Sequence, residues 1–176
     1  MKWIRNGNKE SGLTLVEVLA ALVILSVVSL VLTSFFTNAL TYAKGNQSKT
    51  VMVNLARNTL FYMEKQRFEP IQTYFSNTSN TAINCPLTGC DAPVSQLSED
   101  SAVLQQILNP NINGVQYTIS VIYQRDMHNG MLHDVDKKNM AEELLPVLVR
   151  VEKANGSASA RNAAEVEGYI ASERVR

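Results

Sequence analysis

Glu17, the pair Cys85 and Cys90, and the pair His128 and His133 are the side chains whose type and spacing could do chemistry. Glu17 stands at the edge of a segment, Val18 to Ala43, that holds no charged residue. A carboxylate at membrane depth costs roughly 2.5–3.5 kcal/mol on insertion scales and marks a functional residue by default. It becomes tolerable when a cation or strong donor pairs with it, and a helix N-terminus supplies part of that compensation. Cys85 and Cys90 form Cys-x4-Cys, and His128 and His133 form His-x4-His. Together they could be four zinc ligands, although the stretch between Cys90 and His128 is long for such a site. The histidines read equally as polar residues of a turn-rich loop around Asn129-Gly130. For the cysteines, a location outside the cytoplasm favours a disulfide; free thiols remain a third reading. No Gly-rich phosphate loop, nucleophile elbow or paired metal-ligand helix motif is present. Asp134, Asp136, Glu142 and Glu143 read as solvated, and Phe61, Tyr62, Tyr117, Tyr123 and Tyr169 as core or contact residues.

The elements that position Glu17 begin with an apolar run from Leu13 to about Phe36, long enough to cross a bilayer of about 30 Å as a helix. Lys2, Arg5 and Lys9 against Glu10 give residues 1–12 a charge of +2. Basic residues at that end hold the N-terminus in the cytoplasm and send the remainder across. A secretory signal is cut after its apolar core. Here Gly12 stands before the core, and a residue without a side chain suits close approach of a peptidase to the backbone. Cleavage at Gly12–Leu13 would keep the apolar helix as an anchor and place a new amine four residues from Glu17, on the same helix face. An uncleaved single-pass anchor explains the apolar run but neither Gly12 nor Glu17.

The stretch Lys9-Glu10-Ser11-Gly12-Leu13-Thr14-Leu15-Val16-Glu17 resembles the class III signal of type IV prepilins and pseudopilins. It has a short basic leader, Gly before the cut, an apolar first residue and Glu at the fifth mature position. The resemblance covers about the first forty residues. It implies that a membrane aspartic prepilin peptidase cuts Gly12–Leu13, and that the amine of Leu13 is then methylated. Leu13 keeps the apolar character of the Phe found there in many members. The resemblance further implies that Glu17 attracts the amine of a neighbouring subunit entering a filament.

Beyond the membrane run, Met52, Leu55, Ala56, Thr59, Leu60 and Met63 keep helical spacing, and Pro70 is the expected stop. Residues 71–114 are rich in Asn, Ser, Thr and Gln and read as loop, with a short helix around Ser101–Leu108. Strands are expected at Val115–Gln124, at Leu145–Glu152 with Pro146 marking a start or an edge, and more weakly at Val166–Ser172. Asn155-Gly156 supplies a turn between the last two. The expected fold is α+β: a long N-terminal helix packed on a small antiparallel sheet, as type IV pilin-like subunits look. The divisions are 1–12 leader, 13–36 membrane and filament-core helix, 37–69 amphipathic second half, and 70–176 loop-rich domain.

Formal charge is zero over 176 residues, and removal of residues 1–12 leaves 13 basic and 15 acidic side chains. With no basic stripe in residues 69–176, the chain carries no nucleic-acid signal. The expectation is a non-enzymatic minor pilin or pseudopilin without a cofactor, in the cytoplasmic membrane with its C-terminal domain outside. After assembly it would lie at the cell surface or in the periplasm. Its partners would be other pilin or pseudopilin subunits, the prepilin peptidase, an assembly platform protein with its ATPase, and membrane lipid. A major pilin is the near alternative. A membrane-anchored metal-dependent enzyme using Cys85, Cys90, His128 and His133, or a ligand-binding module that never polymerises, are the distant ones.

Overall fold

The computed structural model describes residues 14–154 and 162–176. Gly12, Leu13 and the turn expected at Asn155-Gly156 lie outside these residues. The chain divides into two units, Met1–Lys44 and Gly45–Arg176. A single helix, α1 (Leu15–Lys65), runs from the first unit into the second.

The first unit is the apolar half of α1. Every residue from Thr14 to Gln47 is exposed. Ser26 donates to the Leu22 carbonyl (2.7 Å), Thr33 to Ser29 (2.8 Å) and Thr41 to Thr37 (2.9 Å). These hydroxyls return to the helix's own backbone, which keeps them satisfied where no water is at hand.

The second unit is built on an antiparallel sheet in the order β1 (Ala82–Ile83), β3 (Val115–Tyr123), β4 (Leu144–Lys153), β5 (Ala163–Ala171). The two-residue strand β2 (Asn111–Ile112) pairs with β3 off this path. Asn113 and Gly114 join them with φ of 53° and 78°, the double positive φ of a type I′ hairpin turn. Register sets Val121 opposite Val149, and Val149 opposite Val166. Alternation along β3 and β4 sends Tyr117, Ile119, Val121, Leu145, Val147, Val149 and Val151 into the core. The second half of α1 meets that core with Met52, Ala56, Thr59 and Met63, all fully buried. This is the stripe expected from the three- and four-residue spacing. Each large apolar side chain so buried contributes about 1.5–3 kcal/mol. Gly168 of β5 permits close approach of α1, because a Cβ there would run into the Leu60 methyl groups.

Pro70 does not stop α1. The helix ends at Lys65, and Pro70 is the third residue of α2 (Phe68–Ser76). In a continuous helix its ring would clash with the Gln66 carbonyl, so the break must fall earlier. In a first turn, by contrast, its missing N–H costs nothing. Arg67 gives α2 no side-chain cap. Instead the Phe68 N–H donates to Glu173 Oε1 (3.0 Å), and Arg176 Nη2 donates to the Gln66 carbonyl (2.9 Å). At the other end of α2, Arg125 Nη2 donates to the carbonyls of Phe75 (2.9 Å) and Asn77 (3.3 Å). An anion at the N-terminus and a cation at the C-terminus both oppose the helix dipole.

Residues 71–114 hold more than loop. Besides the end of α2 and strands β1 and β2, they contain α3 (Ala92–Ser95) and α4 (Ser101–Leu108). The span of α4 is the one read from the sequence, started by Asp100 accepting from Ala102 N and Val103 N. Around Asn129-Gly130 the expected loop is instead helix, α5 (Arg125–His133), followed by α6 (Lys138–Ala141). The last strand starts at Ala163 rather than Val166. Pro146 lies near the start of β4, a central strand; its carbonyl accepts from Gln124 N, just past the end of β3. Its missing N–H therefore falls where β3 no longer runs beside it.

Candidate functional site

At the start of α1, Thr14 precedes the first helical residue and Glu17 is the third residue inside it. The Glu17 N–H donates to Thr14 Oγ1 (3.3 Å), and Glu17 Oε2 accepts from Thr14 N (2.8 Å) and Thr14 Oγ1 (3.0 Å). This is a capping box, in which two orphan donors at a helix end are satisfied reciprocally. Its sequence signature is Thr-x-x-Glu ahead of an apolar run, Thr14 to Glu17. The carboxylate is thereby held at the helix end through one oxygen. Among the described residues, Oε1 has no hydrogen-bond partner. Beyond the box follows the exposed apolar half of α1, and α1 is long and apolar enough to cross a membrane.

The cysteines are joined, Cys85 to Cys90, with Cα atoms 4.4 Å apart. Gly89 takes a positive φ of 131° within the small ring, a conformation open to Gly at no steric cost. Two amides tie this loop to α4: Gln105 Nε2 donates to the Leu87 carbonyl (3.1 Å) and Asn109 Nδ2 to the Cys85 carbonyl (3.0 Å). With both sulfurs in the bridge, no thiolate remains for the four-ligand zinc reading.

The histidines do not rescue that reading. His128 is buried on α5; Nε2 faces the Ala141 carbonyl at 2.7 Å and Nδ1 bonds the Tyr123 hydroxyl. The Ala141 carbonyl can only accept, so Nε2 donates to it, and His128 pins α5 and α6 to β3. Tyr123 stacks on Phe75 at 4.9 Å and lies under Arg125 at 5.2 Å. Burial raises the pKa of its hydroxyl, which Arg125 partly offsets. His133 is exposed and bonds the Asn129 carbonyl of its own helix at 2.7 Å. Among the described residues no group of three or more His, Cys, Asp or Glu is placed to hold a metal ion.

The family model for the prokaryotic N-terminal methylation motif matches residues 7–33. No curated protein and no solved structure matches the chain. The matched span contains the basic-to-apolar boundary, Gly12, the capping box and most of the apolar half of α1. The match is consistent with a type IV pilin-like protein, a structural class processed by prepilin peptidase, with that peptidase and other pilin subunits as partners. The motif and the apolar helix together suggest membrane anchoring.

Proposed function

We propose that the chain is a minor pilin or pseudopilin, a structural subunit of a type IV filament machine. Residues 1–12 form the leader, prepilin peptidase cuts between Gly12 and Leu13, and the Leu13 amine is methylated. Residues 13–36 anchor the subunit in the cytoplasmic membrane and then enter the filament core. Residues 37–65 carry the helix into the C-terminal domain, which is displayed outside the membrane. An assembly platform protein and its ATPase drive the transfer from membrane to filament.

The observation that carries this reading is a matched methylation motif coinciding with the capped, apolar N-terminal half of α1, which buries none of its side chains. A helix apolar all round needs either lipid or other helices, and a filament subunit meets each in turn. Glu17 is the docking group: the Thr14 box presents the carboxylate, and an incoming subunit's amine at Leu13 supplies the charge that a buried carboxylate requires.

Mass spectrometry of the protein from cells with the peptidase should find Leu13 as the first residue, with methyl groups on its amine. An intact Met1 terminus, unchanged when the peptidase is deleted, would overturn the proposal. Changing Gly12 to a bulky residue should leave the precursor in the membrane.

A further inference from the structure

A cleft of about 570 Å³ lies between α2 and α3, within the size range of small-molecule sites. Pro70, Tyr74 and Pro93 give it flat apolar faces, while Thr73, Asn77, Asn80 and Gln96 turn its rim polar. Arg67 and Glu69 line it as an exposed ion pair at 3.9 Å, so the lining itself carries no net charge. Burial, and then the nearby charge of Asp91, raise the Tyr74 pKa, and that negative charge disfavours an anionic occupant.

Two of the amides are already fixed by the fold. Asn80 Nδ2 donates to the Tyr74 carbonyl (2.8 Å), and Asn77 Oδ1 accepts from Ser79 N (3.0 Å). Each is left with its complementary group, an acceptor on Asn80 and a donor on Asn77. The side chains of Thr73 and Gln96 have no partner among the described residues. Tyr74 is anchored as well, its hydroxyl donating to the Ala82 carbonyl (3.1 Å). The cleft therefore offers donors and acceptors side by side, several of them held still beforehand, next to the side chains of Pro70, Tyr74 and Pro93. Prior ordering of this kind lowers the entropy lost on binding.

We infer that this cleft binds a neutral saccharide. Every sugar hydroxyl both donates and accepts, which calls for mixed amide and hydroxyl partners. The C–H face of a pyranose ring matches proline and tyrosine surfaces. A peptide is the less suited occupant: main-chain recognition uses a free strand edge or a groove with side-chain pockets, whereas this cleft is walled by two helices. The inference is independent of filament assembly, since every lining residue lies between Arg67 and Leu97.

Saturation-transfer NMR on the full chain in a phosphocholine detergent, which carries no sugar head group, tests it. The probes are glucose, galactose, N-acetylglucosamine, lactose, sialyllactose and a neutral Gly-Ser hexapeptide. At least one neutral sugar should bind in the millimolar range or tighter. The double variant Thr73→Val/Gln96→Leu should weaken that binding about 10-fold, equivalent to the loss of a hydrogen bond or two. Its melting temperature should stay unchanged, because both positions are exposed. No sugar binding at tens of millimolar would overturn the assignment. Binding that survives the double variant, or binding of the peptide or sialyllactose alone, would do the same.

Discussion

Between Leu15 and Lys44, α1 buries nothing, whereas between Gly45 and Lys65 the same helix buries Met52, Ala56, Thr59 and Met63 against a sheet. Backbone geometry is shared, so the difference lies in the pattern of side chains. The first stretch is apolar on every side and closes its hydroxyls onto its own carbonyls. The second buries its apolar residues along one stripe and leaves charged residues such as Arg57 and Lys65 exposed, with Phe61 the exposed large apolar side chain. A helix with a stripe is completed by its own chain; a helix without one is completed by something else. One element thus serves two environments, and the pair can be tested as a contrast.

The largest expected effect comes from placing one charge in each half. Ala56→Arg puts an unpaired charge and excess volume into a fully buried position and should cost more than about 4 kcal/mol, enough to unfold the sheet domain. Val23→Arg should leave the domain's melting temperature unchanged and instead hinder membrane insertion by about 2.5–3.5 kcal/mol. Circular dichroism melting and membrane fractionation read the two outcomes. If Val23→Arg lowered the melting temperature, the halves would not be independent.

Glu17→Leu sharpens the contrast within the first half. Removing the carboxylate should let the helix insert at least as readily, yet incorporation into filaments, measured by shearing and crosslinking, should fall several-fold. Thr14→Val should lower it less, because it removes a cap worth about 1 kcal/mol while keeping the charge. Equal incorporation of both variants with the parent would reduce Glu17 to a helix-end residue.

Reduction of Cys85–Cys90 should be milder. A ring of this size contributes at most about 2 kcal/mol in loop-entropy terms. Hydrogen exchange should rise near residues 80–95 and along the face of α4 held by Gln105 and Asn109, while α1 in both halves stays as protected as before. Loss of the whole sheet would show that the bridge supports more than its own loop.

The smallest effect is a pH dependence. Glu173's carboxyl is held below its ordinary value of 4.5, chiefly by the Phe68 N–H. A lowered folded-state pKa means that its contribution is complete above pH 4.5 and is lost as pH falls through the folded value. Melting temperature should therefore drop slightly more steeply below pH 4.5 in the parent than in Glu173→Gln. Parallel curves would remove Glu173 from the account.

The α+β class, the buried stripe of α1, helix α4 and the two long strands β3 and β4 were legible because each rests on local periodicity or a local cap. Pro70 was misread because proline excludes a helix interior but welcomes a first turn, and residue type alone does not say which applies. His128 looked like a loop residue because Asn129-Gly130 is turn chemistry locally; packing of Tyr123 and the Ala141 carbonyl around the ring overrides it. The ends of α2 were illegible for a different reason: their caps, Glu173 and Arg125, come from distant parts of the chain. At Glu17 the sequence drew attention to the carboxylate through its apolar setting, whereas the Thr14 contacts that hold it come from the structure.

That long-range closure bears on the order in which the molecule can be made. Glu173 and Arg176 leave the ribosome 105 and 110 residues after the Phe68 and Gln66 groups they satisfy. At roughly 5–20 residues per second, the junction between α1 and α2 stays open for about 5–20 s of synthesis. The uncovered half of α1 has emerged well before then. Translation therefore separates two events in time: the N-terminal helix can find its surroundings early, while the domain is sealed only when the C-terminal residues arrive.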